Sequence, residues 1–78
     1  MNDSAVIERR VKEVVSKFTG VPEEEIKTLD TLCGPKLDLE YVDTVALMMD
    51  IEEEFGVAFD REEFYNVLDF IKELERIL

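Results

Sequence analysis

Carboxylates are the side chains of this chain most able to do chemistry. Of its 78 residues, 20 are acids and nine are bases, which gives a formal net charge of −11. Close pairs such as Glu40 and Asp43 have a spacing that general acid–base catalysis can use. No second type of functional group accompanies them, so we interpret these acids as a solvated face rather than a catalytic site.

Composition excludes several catalytic and metal-binding chemistries. The chain has no histidine and a single cysteine, Cys33, which rules out zinc clusters, Ser-His-Asp triads, Cys-His dyads and disulfide frameworks. Asp50, Glu52 and Glu54 have the spacing of the first calcium-loop ligands. Phe55, however, stands where such a loop requires glycine. We therefore predict no metal site and no enzymatic activity.

The negative charge is concentrated in one segment. Residues 37–63 hold ten acids and one base, Arg61, so they carry −9 of the net −11. A solvated helix surface is one interpretation of such a segment, and a docking surface for a basic partner is the other. With either interpretation, the negative net charge argues against nucleic acids and anionic membranes as partners, because both would be repelled.

Apolar segments are short throughout the chain. The longest unbroken run covers only residues 45–49, which predicts no membrane insertion. The first four residues lack the basic start of a signal peptide, and the lone thiol of Cys33 suits a reducing compartment. We expect a cytoplasmic protein of one domain, residues 1–78, that is a monomer.

Helical periodicity and capping residues predict an all-α fold. A first helix is predicted from Ser4 to Phe18, capped by Asp3 or Ser4 and ended by Gly20. Its apolar stripe consists of Ile7, Val11, Val14, Val15 and Phe18. A turn into a short helical piece follows Pro22, and a long connection over residues 28–38 contains the breaker Cys33-Gly34-Pro35.

Three further helices are predicted after this connection. The second runs from Leu39 to Phe55, with Asp38 as its cap and Gly56 after its end. The third is short and follows Asp60, where Asp60 and Glu63 have the spacing of a capping box. The last runs from Val67 to Ile77 after Asn66, with an apolar stripe of Val67 or Leu68, Ile71, Leu74 and Leu78. The prediction is a bundle of three main helices and one short one.

The second helix has two apolar faces. One comprises Leu47, Met48, Ile51 and Phe55, and the nearly opposite one comprises Val42, Val45, Ala46 and Met49. Because a small bundle usually buries one face per helix, the second set is a candidate partner surface rimmed by acids. The alternative is that Val42 or Val45 packs under the long loop.

Residues 40–55, with the sequence EYVDTVALMMDIEEEF, resemble the recognition helix of acyl carrier proteins. That family begins this helix with Asp-Ser-Leu-Asp and ends it with Glu-Glu-Glu-Phe. The likeness extends to residues 11–21 and to the acids after Pro22, and Lys36-Leu37-Asp38-Leu39 stands where the family has Asp-Leu-Gly-Leu. The resemblance implies an acyl-carrier-like four-helix bundle over nearly the whole chain.

Tyr41 is the principal departure from the family pattern. At this position the resemblance implies a serine, to which the family's cofactor, the 4′-phosphopantetheine arm, is attached. A phenol places its hydroxyl further from the backbone and is a different nucleophile from an alkanol. The only serines of the chain, Ser4 and Ser16, lie in or before the first helix. We therefore expect the usual modification to fail and no cofactor to be carried.

The docking residues implied by the resemblance survive better than the attachment site. Tyr41 occupies the position of the lost serine. The partner-binding residues implied by the resemblance are Glu40, Val42, Asp43, Val45, Met49, Glu52 and Glu53. Ala46 departs from the glutamate that is common there. The resemblance thus implies a pseudo-carrier that docks on basic surfaces of acyl-processing enzymes, in fatty acid or polyketide metabolism, or on a phosphopantetheinyl transferase.

Two alternatives remain. One is a working carrier that uses Tyr41, Thr44 or Cys33 for attachment, or holds an acyl chain noncovalently. The other is a fold relic whose partner has nothing to do with acyl chemistry.

Overall fold

A computed structural model describes residues 3–78 and contains three α-helices and one 3₁₀ turn. Helix α1 spans Ser4–Thr19, the 3₁₀ turn Glu23–Glu25, α2 Tyr41–Phe55 and α3 Val67–Ile77. Helix α1 packs against both α2 and α3. The all-α prediction is confirmed. No helix within the described residues is long and apolar enough to cross a membrane.

Helix α1 forms as its sequence predicts. The carboxylate of Asp3 accepts a hydrogen bond from the backbone N–H of Ala5 at 2.9 Å, which satisfies one of the donors left free at a helix start. Gly20 ends the helix in the left-handed conformation, with φ of 82°. Between these ends, Ile7, Val11 and Val15 are buried, which confirms the apolar stripe.

One core joins the helices to the long loop. Its buried apolar side chains come from α1 (Ile7, Val11, Val15), from residues 26–37 (Ile26, Leu32, Leu37), from α2 (Leu47, Ile51) and from residues 64–74 (Phe64, Val67, Phe70, Ile71, Leu74). The loop is fixed by backbone hydrogen bonds from Leu32 N–H to Tyr65 O at 2.9 Å and from Leu68 N–H to Thr28 O at 2.8 Å. Residues 28–40 are therefore a packed connection rather than a loose one.

The predicted start of α2 is wrong by two residues. The helix begins at Tyr41 with Glu40 as its N-cap, not at Leu39 with Asp38 as its cap. The N–H of Leu39 donates to Leu32 O at 3.1 Å, so this residue is committed to the loop. Asp38 has φ of 55°, in the left-handed region that a right-handed helix cannot include.

Because Asp38 has a side chain in a conformation that favours glycine, Asp38→Gly is expected to stabilise the fold. Relief of the left-handed strain outweighs the added freedom of the unfolded chain by about 0.5 kcal/mol. For a domain of this size that corresponds to a rise of about 2–4 °C in melting temperature. Urea unfolding measures the difference. Asp38→Ala, which keeps a Cβ, is the control, and an equal gain there would show that the carboxylate, not the backbone, is responsible.

The short helix predicted after Asp60 is also wrong, since residues 60–65 are not helical. The carboxylate of Asp60 pairs with Arg76 at 3.0 Å instead of capping a helix. The N–H of Tyr65 donates to the Asp69 carboxylate at 2.7 Å, and its carbonyl accepts from Leu32. Since the backbone groups of this segment bond to other elements, a local helix would have to give up those partners.

Helix α3 has the predicted bounds, and its cap Asn66 accepts from the N–H of Asp69 at 2.9 Å. Its buried stripe differs from the prediction. Phe70, which the prediction omitted, is fully buried, whereas the predicted stripe member Leu78 is 41% exposed. The ring of Phe70 stacks on that of Phe64 with centroids 4.3 Å apart, so the segment just before α3 helps to determine which face of the helix is buried.

Candidate functional site

Tyr41 is the first residue of α2, and its side chain is 58% exposed. Within residues 3–78, no partner bonds to its hydroxyl and no cation lies over its ring. The other tyrosine, Tyr65, differs because its hydroxyl donates to Glu63 at 2.7 Å, a bond that raises the pKa of Tyr65. The phenol of Tyr41 is therefore presented to solvent with both its hydroxyl and its ring face open.

The backbone that carries Tyr41 is held at both sides. The hydroxyl of Thr44 donates to the carbonyl of Tyr41 at 2.6 Å, and the N–H of Glu40 donates to the carboxylate of Asp43 at 2.9 Å. The second bond is one half of a capping box, which fixes the direction in which the chain enters the helix. The position of Tyr41 is consequently well defined even though its side chain is exposed.

The two apolar faces predicted for α2 are present. Leu47 and Ile51 are fully buried, while Val42 is 68% and Met49 is 59% exposed on the other face. Val42 is too exposed to pack under the long loop, so that alternative is wrong for this residue. Val45 is half-buried, and the alternative stays open there. An exposed apolar strip thus runs along α2 from Tyr41 to Met49.

The acids of α2 divide into solvated and structurally engaged groups. Glu40, Asp50 and Glu53 are exposed. Glu52 is half-buried, and its carboxylate accepts the backbone N–H of Phe59 at 2.7 Å. Of the two adjacent acids predicted to bind partners, Glu53 alone therefore has its carboxylate free for that purpose, while Glu52 also fixes the turn after α2.

Arg10 of α1 holds the far end of α2. Its guanidinium donates to the carboxylate of Glu54 at 3.1 Å and to the carbonyl of the same residue at 3.0 Å. The same group lies 4.2 Å from the centre of the Phe55 ring, a cation–π geometry. These contacts are absent from the predictions because nothing local to Arg10 indicates a partner 44 positions away.

The loop before α2 is fastened by Lys36. Its ammonium donates to the carbonyl of Glu25 at 2.8 Å and to the carboxylate of Asp30 at 2.9 Å. The pKa of Asp30 lies below its ordinary value for two reasons. The backbone N–H of Lys27 donates to this carboxylate, and the ammonium of Lys36 bonds to it. Cys33 is exposed within this fastened loop.

A comparison with protein families decides the affiliation of the chain. Residues 9–78 match the family model described as the phosphopantetheine attachment site. The chain belongs to this family. The resemblance to acyl carrier proteins is thereby confirmed, and the chain is an acyl or peptidyl carrier-type module. Carrier domains of the phosphopantetheine-attachment family are generally noncatalytic and interact with acyl-processing enzymes and transferases.

The phosphopantetheine arm of this family needs a hydroxyl at the start of α2 for its attachment. Thr44 is buried, and its hydroxyl already donates to the carbonyl of Tyr41, so it is poorly placed to receive an arm. The hydroxyl of Ser4 donates to the carboxylate of Glu75, a residue of α3. Tyr41 therefore carries the one exposed hydroxyl among residues 40–55, and it is a phenol rather than the alkanol of a serine.

Proposed function

We propose that this protein is a pseudo-carrier, a member of the phosphopantetheine-attachment family that docks on carrier-dependent enzymes without bearing the arm. The observation that supports this most directly is the exposed phenol of Tyr41 at the first position of α2, where the resemblance implies a serine. Nucleophilic attack on coenzyme A by a serine oxygen cannot occur there.

The surface around Tyr41 supports docking. Val42 and Met49 offer exposed apolar area, and Glu40, Asp50 and Glu53 surround it with solvated negative charge. An apolar strip with an acidic rim complements a basic enzyme surface, since the charges guide the encounter and the apolar contacts slow dissociation. The proposed surface also includes Val45, Asp43 and Glu52. The carboxylates of Asp43 and Glu52 accept backbone N–H groups and so contribute mainly by fixing the two ends of α2.

The setting is proposed on chemical grounds. The partners are acyl-processing enzymes of fatty acid, polyketide or related metabolism, or a phosphopantetheinyl transferase. We place the docking in the cytoplasm, because the exposed lone thiol of Cys33 suits a reducing compartment. The protein acts as a monomer and as a noncatalytic binding module.

Glu53→Lys tests the docking surface. The partner in the experiment is a broad-specificity phosphopantetheinyl transferase, and titration calorimetry at about 0.15 M salt, where the Debye length is about 8 Å, measures the affinity. Reversing an exposed charge opposite a basic surface replaces attraction with repulsion, so the affinity is expected to fall about tenfold or more. Glu52→Lys is a poorer choice, because it would also remove the bond to Phe59.

Glu24→Lys is the matched control for this experiment. Glu24 is exposed on the 3₁₀ turn, outside the acidic segment, and its reversal changes the net charge equally. We expect it to weaken binding less than about twofold, since salt screens charges beyond a Debye length. Equal losses for both variants would show that binding depends on net charge alone, and no loss for Glu53→Lys would refute docking through α2.

A second candidate function is a working carrier with its group attached at Tyr41. The exposure of this hydroxyl and its lack of an internal partner favour it over Thr44 as an unusual attachment residue. The intact mass of the protein purified from its native cells distinguishes the two functions. A mass above that of the bare chain, located on Tyr41, would support the carrier.

A further inference from the structure

The exposed face of α2 contains a hole formed by four apolar side chains. They stand at positions i, i+3, i+4 and i+7, which are neighbours on one face of a helix, and are Val42, Val45, Ala46 and Met49. Val42, Ala46 and Met49 are exposed, and Val45 is half-buried. Because the side chain of Ala46 ends at its Cβ atom, the set is low at its centre and high at Val42 and Met49. In packed helices, four side chains around such a hole receive one side chain of the facing helix. We call this set the α2 hole.

Residues 3–78 leave the α2 hole unfilled. Its four members belong neither to the buried core nor to the apolar side chains packed against that core. Helix α2 contacts the core through its opposite face, where Leu47 and Ile51 are buried. A second copy of the chain is a poor occupant, because it brings a net charge of −11 to an acidic surface. The occupant suited to the hole is therefore a different molecule.

Acids continue the exposed face of α2 beyond the hole. Asp50 follows Ala46 by four residues and Glu53 follows Met49 by four, so each lies one turn further along the same side of the helix. Both are exposed, and neither forms an ion pair within residues 3–78. At a rise of about 1.5 Å per residue, they lie about 6 Å and about 10 Å from Ala46 along the helix axis. Since α2 has no basic residue, the complementary surface has a large apolar side chain with cations one and two turns away from it.

We infer that the α2 hole receives a basic amphipathic helix of a partner protein, which inserts one large apolar side chain over Ala46 and places cations against Asp50 and Glu53. A helix fits because the hole and the acids are spaced by helical turns, the interval at which a facing helix presents the side chains of one face. The inference rests on the proposed function. It adds the structure of the partner surface and names Ala46 as the residue that selects it.

A double-mutant cycle with a designed peptide tests this insertion. The probe is a stapled helical peptide of alanine and lysine with one stripe of three leucines. A truncated form has alanine in place of the central leucine, and a scrambled form has the same composition without the stripe. Fluorescence anisotropy at about 0.15 M salt measures the Kd of each peptide for wild-type protein, Ala46→Leu and Ala5→Leu.

Ala5→Leu is the matched control for Ala46→Leu. Ala5 is exposed on α1, so the control makes the same substitution on a helix away from the α2 hole. Because alanine and leucine are both strong helix formers, both variants should keep their helices, which circular dichroism verifies.

Filling the α2 hole is expected to weaken binding although it adds apolar surface. Ala46→Leu should raise the Kd of the full peptide about tenfold, because an extra side chain in a packed contact holds the two helices apart. Ala5→Leu should change this Kd less than about twofold. Truncating the peptide should weaken its binding to wild-type protein about tenfold, but its binding to Ala46→Leu less than about threefold.

Equal or tighter binding of the full peptide to Ala46→Leu would show that α2 binds apolar surface without an inserted side chain, and would overturn the inference. Equal binding of the scrambled peptide would overturn it as well, because charge alone would then explain the contact. With either result the proposed function still stands if Glu53→Lys weakens binding to the transferase. If Glu53→Lys changes the affinity for neither the transferase nor the full peptide, docking through α2 and this inference fail together.

Discussion

Replacing Tyr41 with serine is expected to convert a chain that coenzyme A and a transferase leave unchanged into one that gains a single phosphopantetheine arm. The substitution restores an alkanol hydroxyl at the first position of α2. The backbone around it is already held by Thr44 and Asp43, so the hydroxyl should appear in a fixed place without rearrangement. The effect is close to all-or-none, because the wild-type phenol is not a substitute for the nucleophile. Intact mass spectrometry after incubation measures it.

Tyr41→Ala is the control for this conversion. It removes the ring as the serine variant does but supplies no hydroxyl, so its mass should not change. Ser4 and Ser16 are present in all three proteins and report modification at any other serine. A mass increase in the wild-type protein would contradict the pseudo-carrier and favour attachment at Tyr41. An unchanged mass for the serine variant would show that the surface around α2 is not recognised.

Helices α1 and α3 could be predicted from sequence because their determinants are local. Asp3 and Asn66 each lie within three residues of the N–H groups that they cap, and Gly20 adopts the left-handed conformation where α1 ends. The stripe of α1 follows from helical spacing alone. The family resemblance was likewise predictable, since it depends on a contiguous run over residues 40–55.

The remaining features could not be predicted because they depend on contacts that the spacing of apolar and capping residues does not reveal. The start of α2 follows the bond between Leu39 and Leu32, and the backbone of Tyr65 bonds to Leu32 and Asp69 instead of continuing the predicted short helix. In the candidate site, the sequence identified the acids around Tyr41, but it could not show which of them are free and which bond to the backbone. Glu52 differs from its neighbour Glu53 only because the chain turns and brings the N–H of Phe59 to its carboxylate.

Phe70→Ala is expected to cause the largest loss of stability of any change considered. Phe70 is fully buried, and its ring lies 4.3 Å from that of Phe64 and 6.2 Å from that of Phe59, centre to centre. Truncating a buried phenylalanine removes its transfer free energy and leaves a cavity, which costs about 3–5 kcal/mol. The total stability of a domain is only about 5–15 kcal/mol, and a 78-residue chain should lie near the lower limit.

Urea unfolding followed by circular dichroism measures this loss, and Tyr41→Ala again provides the comparison. It truncates an aromatic ring of similar size that is 58% exposed, so its effect should stay within about 0.5 kcal/mol. A loss below about 1 kcal/mol for Phe70→Ala would contradict the ring cluster as the centre of the core. The contrast between these two aromatic positions also separates structure from function, because Phe70 should govern whether the bundle folds and Tyr41 should govern only what it binds.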